Sequence, residues 1–511
     1  MDITVVLLWI LAVVGLVTYL VHKWRYWNLR AIPGIEPCYP LLGNALIFAK
    51  ASGYWKSFRN DNRMTKIWFG PVPVINVQHP DLVQKVLSEC LDKPFAYDYM
   101  ELGRGLISER YGNVWREHRK TLSPLFNTRI LYSFMPIFER ATGSIVGRLA
   151  EVADGRDVDL LEYTRVCSAE VVHGTMVTFE RLPEELVRKL IESLDVILEA
   201  LGTRIRTALY ALKTFYKMSA MYREEWRSRK LCYATVNDGI QKMRANIINE
   251  RNELLVPERS NDYDDDDEDG GANAQKPAQS IAFVERLLTI QHKGRPFTDE
   301  EIANHAYTML VAGYETSALQ LSTTCLMLAM HPDVQERVVS EIQAVLPTAD
   351  SPITPETLRE LIYLDQTLNE VLRLYPVAPL IARQSTAPLE LDGVLVPAGM
   401  VFTVNIACVH RRTDVWGANA VDFDPDNFSP ERAAGRHPYA YIPFSGGPRV
   451  CIGNRYSMIS MKVFLIRFLQ QFRLNTRLVR KELKFKFQVT QKLITPYTVQ
   501  LEKRNLYGST E

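Results

Sequence analysis

From Pro80 onward, apolar residues recur at helical spacing for about 300 residues, with few strand-like runs among them. A chain with that pattern must bury helix against helix, with sheets confined to the edges. Candidate helices cover 80–91, 113–127, 130–152, 159–176, 184–201, 217–252, 280–291, 299–330, 332–346 and 361–374. Strand patterns bracket them. KIWFGPVPVINVQ, residues 66–78, reads as a hairpin about Gly70-Pro71, and β patterns return near 388–404 and 473–503. The expected class is mainly α with small β-sheets (α+β).

The 299–330 helix has sharp ends. Thr298 and Glu301 form a capping box, and Pro332 stops the helix at His331. Midway lies VAGYETSA, residues 311–318. Gly313 weakens the helix by up to about 1 kcal/mol relative to alanine. Glu315, Thr316 and Ser317 add an acid and two hydroxyls to an otherwise apolar span, at a cost unless they are satisfied or used. The Thr316 hydroxyl can bond back to the preceding turn. The plainer alternative is a long core helix with incidental polar residues.

The N-terminus follows other rules. Residues 3–21, ITVVLLWILAVVGLVTYLV, are long enough as a helix to span about 28 Å, close to a bilayer core. Trp24, Tyr26 and Trp27 follow it, as do Lys23, Arg25 and Arg30. Aromatic residues mark an interface, and the positive flank puts the body in the cytosol. A cleaved signal peptide fits less well, because no basic region precedes the run and it exceeds an ordinary signal core. The expected division is a membrane anchor at 1–24, a basic and proline-rich hinge at 25–44, and a catalytic domain at 45–511. Within the last, the acidic segment 261–275 reads as a disordered surface loop.

A net charge of +1 gives no general case for nucleic acid. Seven scattered cysteines, none in a C-x-x-C pair, argue against a disulfide framework and against a zinc or cluster site. One has an unusual address. Cys451 sits in PFSGGPRVCIGNR, residues 443–455, just before an apolar helical run. A free cysteine is most often a small buried hydrophobe. Here the glycines leave room for backbone N–H groups near the sulfur, and a helix N-terminus would lower its pKa.

Three features align in order: Ala312-Gly313-x-Glu315-Thr316, Glu370-x-x-Arg373, and Phe444-x-x-Gly447-x-Arg449-x-Cys451-x-Gly453. Together they resemble the cytochrome P450 superfamily of haem-thiolate monooxygenases, over essentially the whole chain. FDPDNFSPER (423–432), HPYAYIPFSGGPR (437–449) and LNEVLRLYPVAP (368–379) resemble the family-4 clan, especially its insect members.

The resemblance implies haem b with Cys451 as the axial iron ligand, Phe444 packed over the ligand loop, and Gly447 and Gly453 shaping it. It implies propionate contacts from Arg449, from Trp115 and Arg119 on one helical face, and from Arg383. Ala312 and Gly313 would leave room for O2, Tyr314 would narrow the pocket, and Thr316 and Glu315 would manage oxygen and protons. Glu370 and Arg373 would be a buried structural pair. The family completes that pair with an arginine, whereas this chain has Asn427 there. Arg432, five residues on, is no assured substitute. Many clan members esterify haem through a glutamate at the position of Ala312, so non-covalent haem is expected.

The segments Tyr97–Ile107 and Val377–Ile381 are expected to line an apolar pocket for a small lipophilic substrate, a fatty acid, lipid-derived hormone or xenobiotic. No flavin or nicotinamide motif is present. Electrons from NADPH are therefore expected through a separate flavoprotein reductase, with cytochrome b5 as a second candidate donor. Arg116, Lys120 and Lys462 are the expected basic docking patch. The expected location is the endoplasmic reticulum (microsomal) membrane, single-pass, with the catalytic domain in the cytosol. An isomerase or dehydratase on the same fold and a non-catalytic haem sensor are the competing readings.

Overall fold

The computed structural model describes residues 3–39, 42–44, 46–47, 62–255, 281–487, 489–504 and 506–507. The acidic segment 261–275 lies outside them. The principal helices are α1 (Ile3–Arg25), α2 (Gly112–Leu122), α3 (Leu160–Met176), α4 (Glu184–Arg206), α5 (Ala220–Leu255), α6 (Asp299–Met330), α7 (Ile362–Leu374) and α8 (Asn454–Gln471). The strands used below are β1 (Met64–Phe69), β2 (Val72–Val77), β3 (Asp154–Asp159), β4 (Leu380–Gln384), β5 (Val401–Asn405), β6 (Phe472–Asn475), β7 (Phe485–Phe487), β8 (Gln491–Leu493) and β9 (Thr498–Lys503).

The helices frame one large core around α6, flanked by small sheets. One sheet runs in the order β1-β2-β5-β4. Its hairpin pairs Met64 with Val77 and Phe69 with Val72, turning at Gly70 in the left-handed region. A second sheet, β6-β9-β3, contains an element the sequence pattern does not signal. β3 reads DGRDVD, and only Val158 is buried. It becomes a strand by pairing Val158 with Val499 on β9, a tertiary override of weak β propensity.

The expected 130–152 helix is two helices, Thr128–Ser133 and Met135–Ala150. Pro136 lacks the N–H needed to continue the first and sits comfortably in the first turn of the second.

α6 has the expected ends. The Glu301 N–H donates to Thr298 Oγ1 at 3.2 Å, and the Thr298 N–H donates to Glu301 Oε2 at 2.9 Å. α3 packs along α6 at Gly313, where an added Cβ would lie 2.7 Å from Val172 Cγ2. The missing side chain of Gly313 therefore serves helix–helix contact, and Gly313 also lines the cavity described below. Gly313→Ala is expected to destabilise the protein by about 1 kcal/mol net. Overpacking costs about 1–3 kcal/mol, and the gain in helix propensity returns up to about 1. A thermal melt of the haem-loaded variant checks this, and an unchanged midpoint would mean that α3 can retreat freely.

α1 carries the apolar run 3–21 as one uninterrupted helix, although many of its side chains lie outside the described residues. Among the described residues no helix is long and apolar enough to cross a membrane.

Candidate active site

The loop before α8 is shaped by two residues with positive φ, Ser445 (65°) and Gly447 (66°). A Cβ on Gly447 would lie 2.6 Å from the Leu87 carbonyl oxygen, and one on Gly446 would lie 2.8 Å from Tyr439. Only glycine fits both approaches. The loop closes when the Cys451 N–H donates to the Phe444 carbonyl at 2.9 Å and the Val450 N–H to that of Gly447 at 3.1 Å. Gly453 then caps α8.

The Cys451 thiol is exposed, but to an internal cavity rather than to bulk water. Surrounding protein pushes its pKa above the ordinary cysteine value, against the pull of the Gly453 N–H and of Arg119. The lowered pKa expected from the helix N-terminus is thus not met, because desolvation outweighs it. A bound metal would reverse this, since coordination deprotonates a thiol outright.

The cavity has a volume of about 390 Å³ and separates Cys451 from α6. Ala312, Gly313, Glu315 and Thr316 line it, as do Trp115, Arg119, Arg383, Phe444, Arg449 and Gly453. The site residues drawn from three distant stretches therefore converge. Thr316 Oγ1 donates to the Ala312 carbonyl at 2.7 Å, the expected bond to the preceding turn. Glu315 is only 5% exposed, and its Oε2 accepts from Thr490 Oγ1 at 2.8 Å. Burial raises its pKa. Asp195 raises it further, while Thr490, Lys492 and Arg165 act the other way. Tyr314 is corrected: its hydroxyl donates to Asp195 Oδ1 at 3.2 Å on the side away from the cavity.

At one end of the cavity cations gather; among the described residues no carboxylate lines that end, although Asp92 and Glu109 act on Arg449. Arg119 Nη1 donates to the Val450 carbonyl at 2.9 Å. Arg383 donates to the Ala382 carbonyl at 2.9 Å and to Ser445 Oγ at 3.3 Å. Arg449 donates to the carbonyls of Glu109 at 2.9 Å and Arg110 at 3.1 Å, and lies 4.6 Å from the centre of the Trp115 ring. Among the described residues Arg383 Nε and Arg449 Nε have no partner. Burial, with Arg383 close by, brings the Arg449 pKa down to about 10. Buried cations with unused donors call for an anion. A haem carries two carboxylates on one edge, so the donor set and the facing thiol fit that group.

The loop is braced from α7. Glu370 and Arg373 are fully buried and make two bonds of 2.6 Å. Arg373 also donates to the carbonyls of His410 at 2.9 Å and Asp422 at 3.0 Å, and to that of Ala420. Asn427 Nδ2 donates to Glu370 Oε1 at 3.2 Å, so the amide takes part in the network without charge. Arg432 pairs with Asp424 instead. The sequence offers no pointer to two further members. Arg436 donates to the Asn427 carbonyl at 2.9 Å and lies 3.9 Å from the centre of the Trp416 ring. His410 Nε2 accepts the Ile442 N–H at 2.8 Å, and Nδ1 lies 3.1 Å from the Arg373 carbonyl. Burial and the neighbouring arginine lower the His410 pKa to about 3. It therefore stays neutral and ties α7 directly to the start of the cysteine loop.

One surface expectation fails. Arg116 and Lys120 are exposed, but Lys462 is buried, donating to Asp365 Oδ2 at 2.8 Å and to the Leu358 carbonyl.

The comparisons agree with this arrangement. The chain is 29% identical to Cytochrome P450 4c21 of Blattella germanica, over 93% of this chain and 94% of that protein. It is 28% identical to Cytochrome P450 4V2 of Homo sapiens, over 95% and 91%. It is 31% identical to Probable cytochrome P450 313a2 of Drosophila melanogaster, over 91% and 92%. The family model Cytochrome P450 matches residues 33–502. With that match over the converged cysteine loop, cation cluster and acid–alcohol pair, the chain belongs to the cytochrome P450 family, haem-b monooxygenases served by a redox partner.

Proposed function

We propose that the chain is a membrane-anchored monooxygenase that inserts one oxygen atom from O2 into a small lipophilic substrate. One observation carries the reading: the Cys451 thiol and the Glu315-Thr316 pair face each other across a single cavity. Thiolate-ligated haem supplies the activation of O2, with electrons that this chain does not itself store. The chain's own residues supply the rest. Cys451 Sγ would ligate the iron, with the sulfur steadied by the Gly453 N–H. Arg119, Arg383 and Arg449 would hold the propionate edge. Ala312 carries only a methyl, which supports a non-covalent attachment. Thr316 Oγ1 would orient the oxygen on the cavity side of α6, and the Glu315 carboxyl would supply protons there. Met100, Leu102, Leu106, Val377 and Ile381 give the remaining wall an apolar surface, which supports a lipophilic substrate.

The division into an anchor at 1–24, a hinge at 25–44 and a catalytic domain at 45–511 is part of this reading. The continuous α1 helix followed by basic residues supports a single pass through the endoplasmic reticulum membrane with the body in the cytosol. Arg116 and Lys120 are the exposed cations proposed to meet an acidic face of an NADPH-dependent flavoprotein reductase. Cytochrome b5 is a second candidate for that face.

The spectrum of the reduced carbon monoxide complex tests the core of the proposal. The native chain is expected to show the long-wavelength Soret band of thiolate ligation, and Cys451→Ser to lose it. A native band at the position of a neutral ligand would sink the assignment. Product formation and NADPH consumption with a purified reductase and candidate lipids separate the monooxygenase from an isomerase or dehydratase, which needs no external electrons.

A further inference from the structure

Among the described residues that line the cavity, buried side-chain polar atoms lacking a hydrogen-bond partner occur on Arg383, Arg449 and Gln320. The two arginines are assigned to the propionate edge, which leaves Gln320 without a role. Its side chain is 2% exposed, and both Nε2 and Oε1 are unpartnered.

Gln320 stands on α6 four residues beyond Thr316, one turn further along the same face. Met309, Ala312, Gly313 and Thr316 share that face and also line the cavity. The threonine hydroxyls of the cavity are already donating. Thr308 Oγ1 donates to the Asn304 carbonyl at 2.7 Å, Thr316 Oγ1 to the Ala312 carbonyl at 2.7 Å, and Thr490 Oγ1 to Glu315 at 2.8 Å. A buried amide with neither its donor nor its acceptor in use forfeits the hydrogen bonds that water would give it. A partner inside the cavity restores them. Both amide atoms are shut off from the open space in this conformer, so the amide engages by turning about its side-chain bonds.

We propose that Gln320 is a substrate anchor that takes a neutral oxygen group, a carbonyl or a hydroxyl, on an otherwise apolar ligand. The inference rests on the monooxygenase reading and narrows its substrate class. A side-chain amide both donates and accepts, which suits either group. A carboxylate is a poorer match. Among the described residues the cations that line the cavity are Lys93, Arg119, Arg383 and Arg449, and they gather at the propionate end. An anion buried beside Gln320 would have no charge to pair with. A plain hydrocarbon leaves the amide unpaired, which a site built to hydrogen-bond penalises. The favoured substrate is therefore a long-chain ketone, alcohol or ester, ahead of a free fatty acid or an alkane.

The test uses the haem-loaded full chain and three probes: decan-2-one labelled with carbon-13 at its carbonyl, decane and decanoate. Isotope-edited infrared spectra of bound decan-2-one are expected to show a lowered, hydrogen-bonded carbonyl stretch in wild type and a free one in Gln320→Met. Gln320→Met keeps the length of the side chain without its polar atoms. Its affinity for decan-2-one relative to decane should fall on the order of tenfold, the value of one hydrogen bond. Wild type should bind decan-2-one more tightly than decanoate at neutral pH. The reverse order would overturn the neutral class. A free carbonyl stretch in wild type would overturn the anchor without any variant, so the test stands even where Gln320→Met does not fold. An unchanged ratio of ketone to decane in Gln320→Met would do the same, and a lowered melt beside it would make the amide a part of the fold only. The carbon monoxide spectrum of wild type is read separately, so a failure here is distinct from a failure of the Cys451 assignment.

Discussion

Arg373→Met is expected to yield protein that holds no haem and melts far below wild type. The side chain sits at zero exposure with its charge matched by Glu370. Removing one partner of a buried pair costs about 3–5 kcal/mol, because the other charge is left uncompensated. That alone is a large share of the roughly 5–15 kcal/mol that stabilises a domain. Three backbone carbonyls, those of His410, Ala420 and Asp422, lose their donor as well. His410 is the hinge of the consequence. Its Nε2 accepts the Ile442 N–H just before the cysteine loop, and the Arg373 carbonyl fixes its position from the other side. Arg373→Lys keeps the charge but not the planar fork, so it should fail in the same direction by a smaller margin. Haem absorbance per protein and circular dichroism check both variants. A haem-loaded Arg373→Met protein with a near-native melt would show that Arg436 and Asn427 brace the loop without it.

Much of this arrangement is legible in the sequence, for identifiable reasons. α6 announces itself through the Thr298–Glu301 box and the stop at Pro332, which act within one helical turn. The cysteine loop announces itself through glycines placed where backbone must approach backbone. What stays hidden depends on contacts far apart in the chain. Thr490 meets Glu315 from the connection between β7 and β8. Nothing near either residue signals that contact. The burial of Lys462 is equally silent, since a lysine on α8 reads as surface until Asp365 is seen opposite it. Tyr314 is different. At about 100° per residue it lies about 200° around α6 from Thr316, so a hydroxyl facing the cavity already turns the tyrosine away. Gly313 shows the same lesson from the packing side. Its position beside the acid–alcohol pair suggests a role for oxygen, while Val172 explains why no side chain is tolerated.

Glu315→Gln is expected to lower product formation by about 100-fold, the lower end of what general acid–base groups contribute. The fold should be left intact. The sign of the effect on stability follows from its surroundings. Burial raises the folded pKa of Glu315 above its unfolded value, so the folded state keeps the proton longer. Any stability from this group is fully present below the unfolded pKa and is lost as pH rises through the folded pKa. A neutral amide of the same shape therefore costs the fold little at neutral pH, and it still accepts from Thr490. Proton delivery is another matter, because the amide has no proton to give. Reducing equivalents should then leave as hydrogen peroxide, with NADPH consumption outlasting product formation. The pH profile supplies the sharper test. Wild-type turnover should fall as pH rises through the raised pKa of Glu315, and Glu315→Gln should lack that limb. Thr490→Val removes a hydrogen bond that lowers this pKa, so its limb should move to higher pH without disappearing. Thr316→Val leaves the acid in place and should uncouple turnover while keeping the limb of wild type. A Glu315→Gln enzyme with native coupling and the native limb would place the proton source elsewhere in the cavity. Ser317 and Gln320, which also line it, would then be the residues to substitute next.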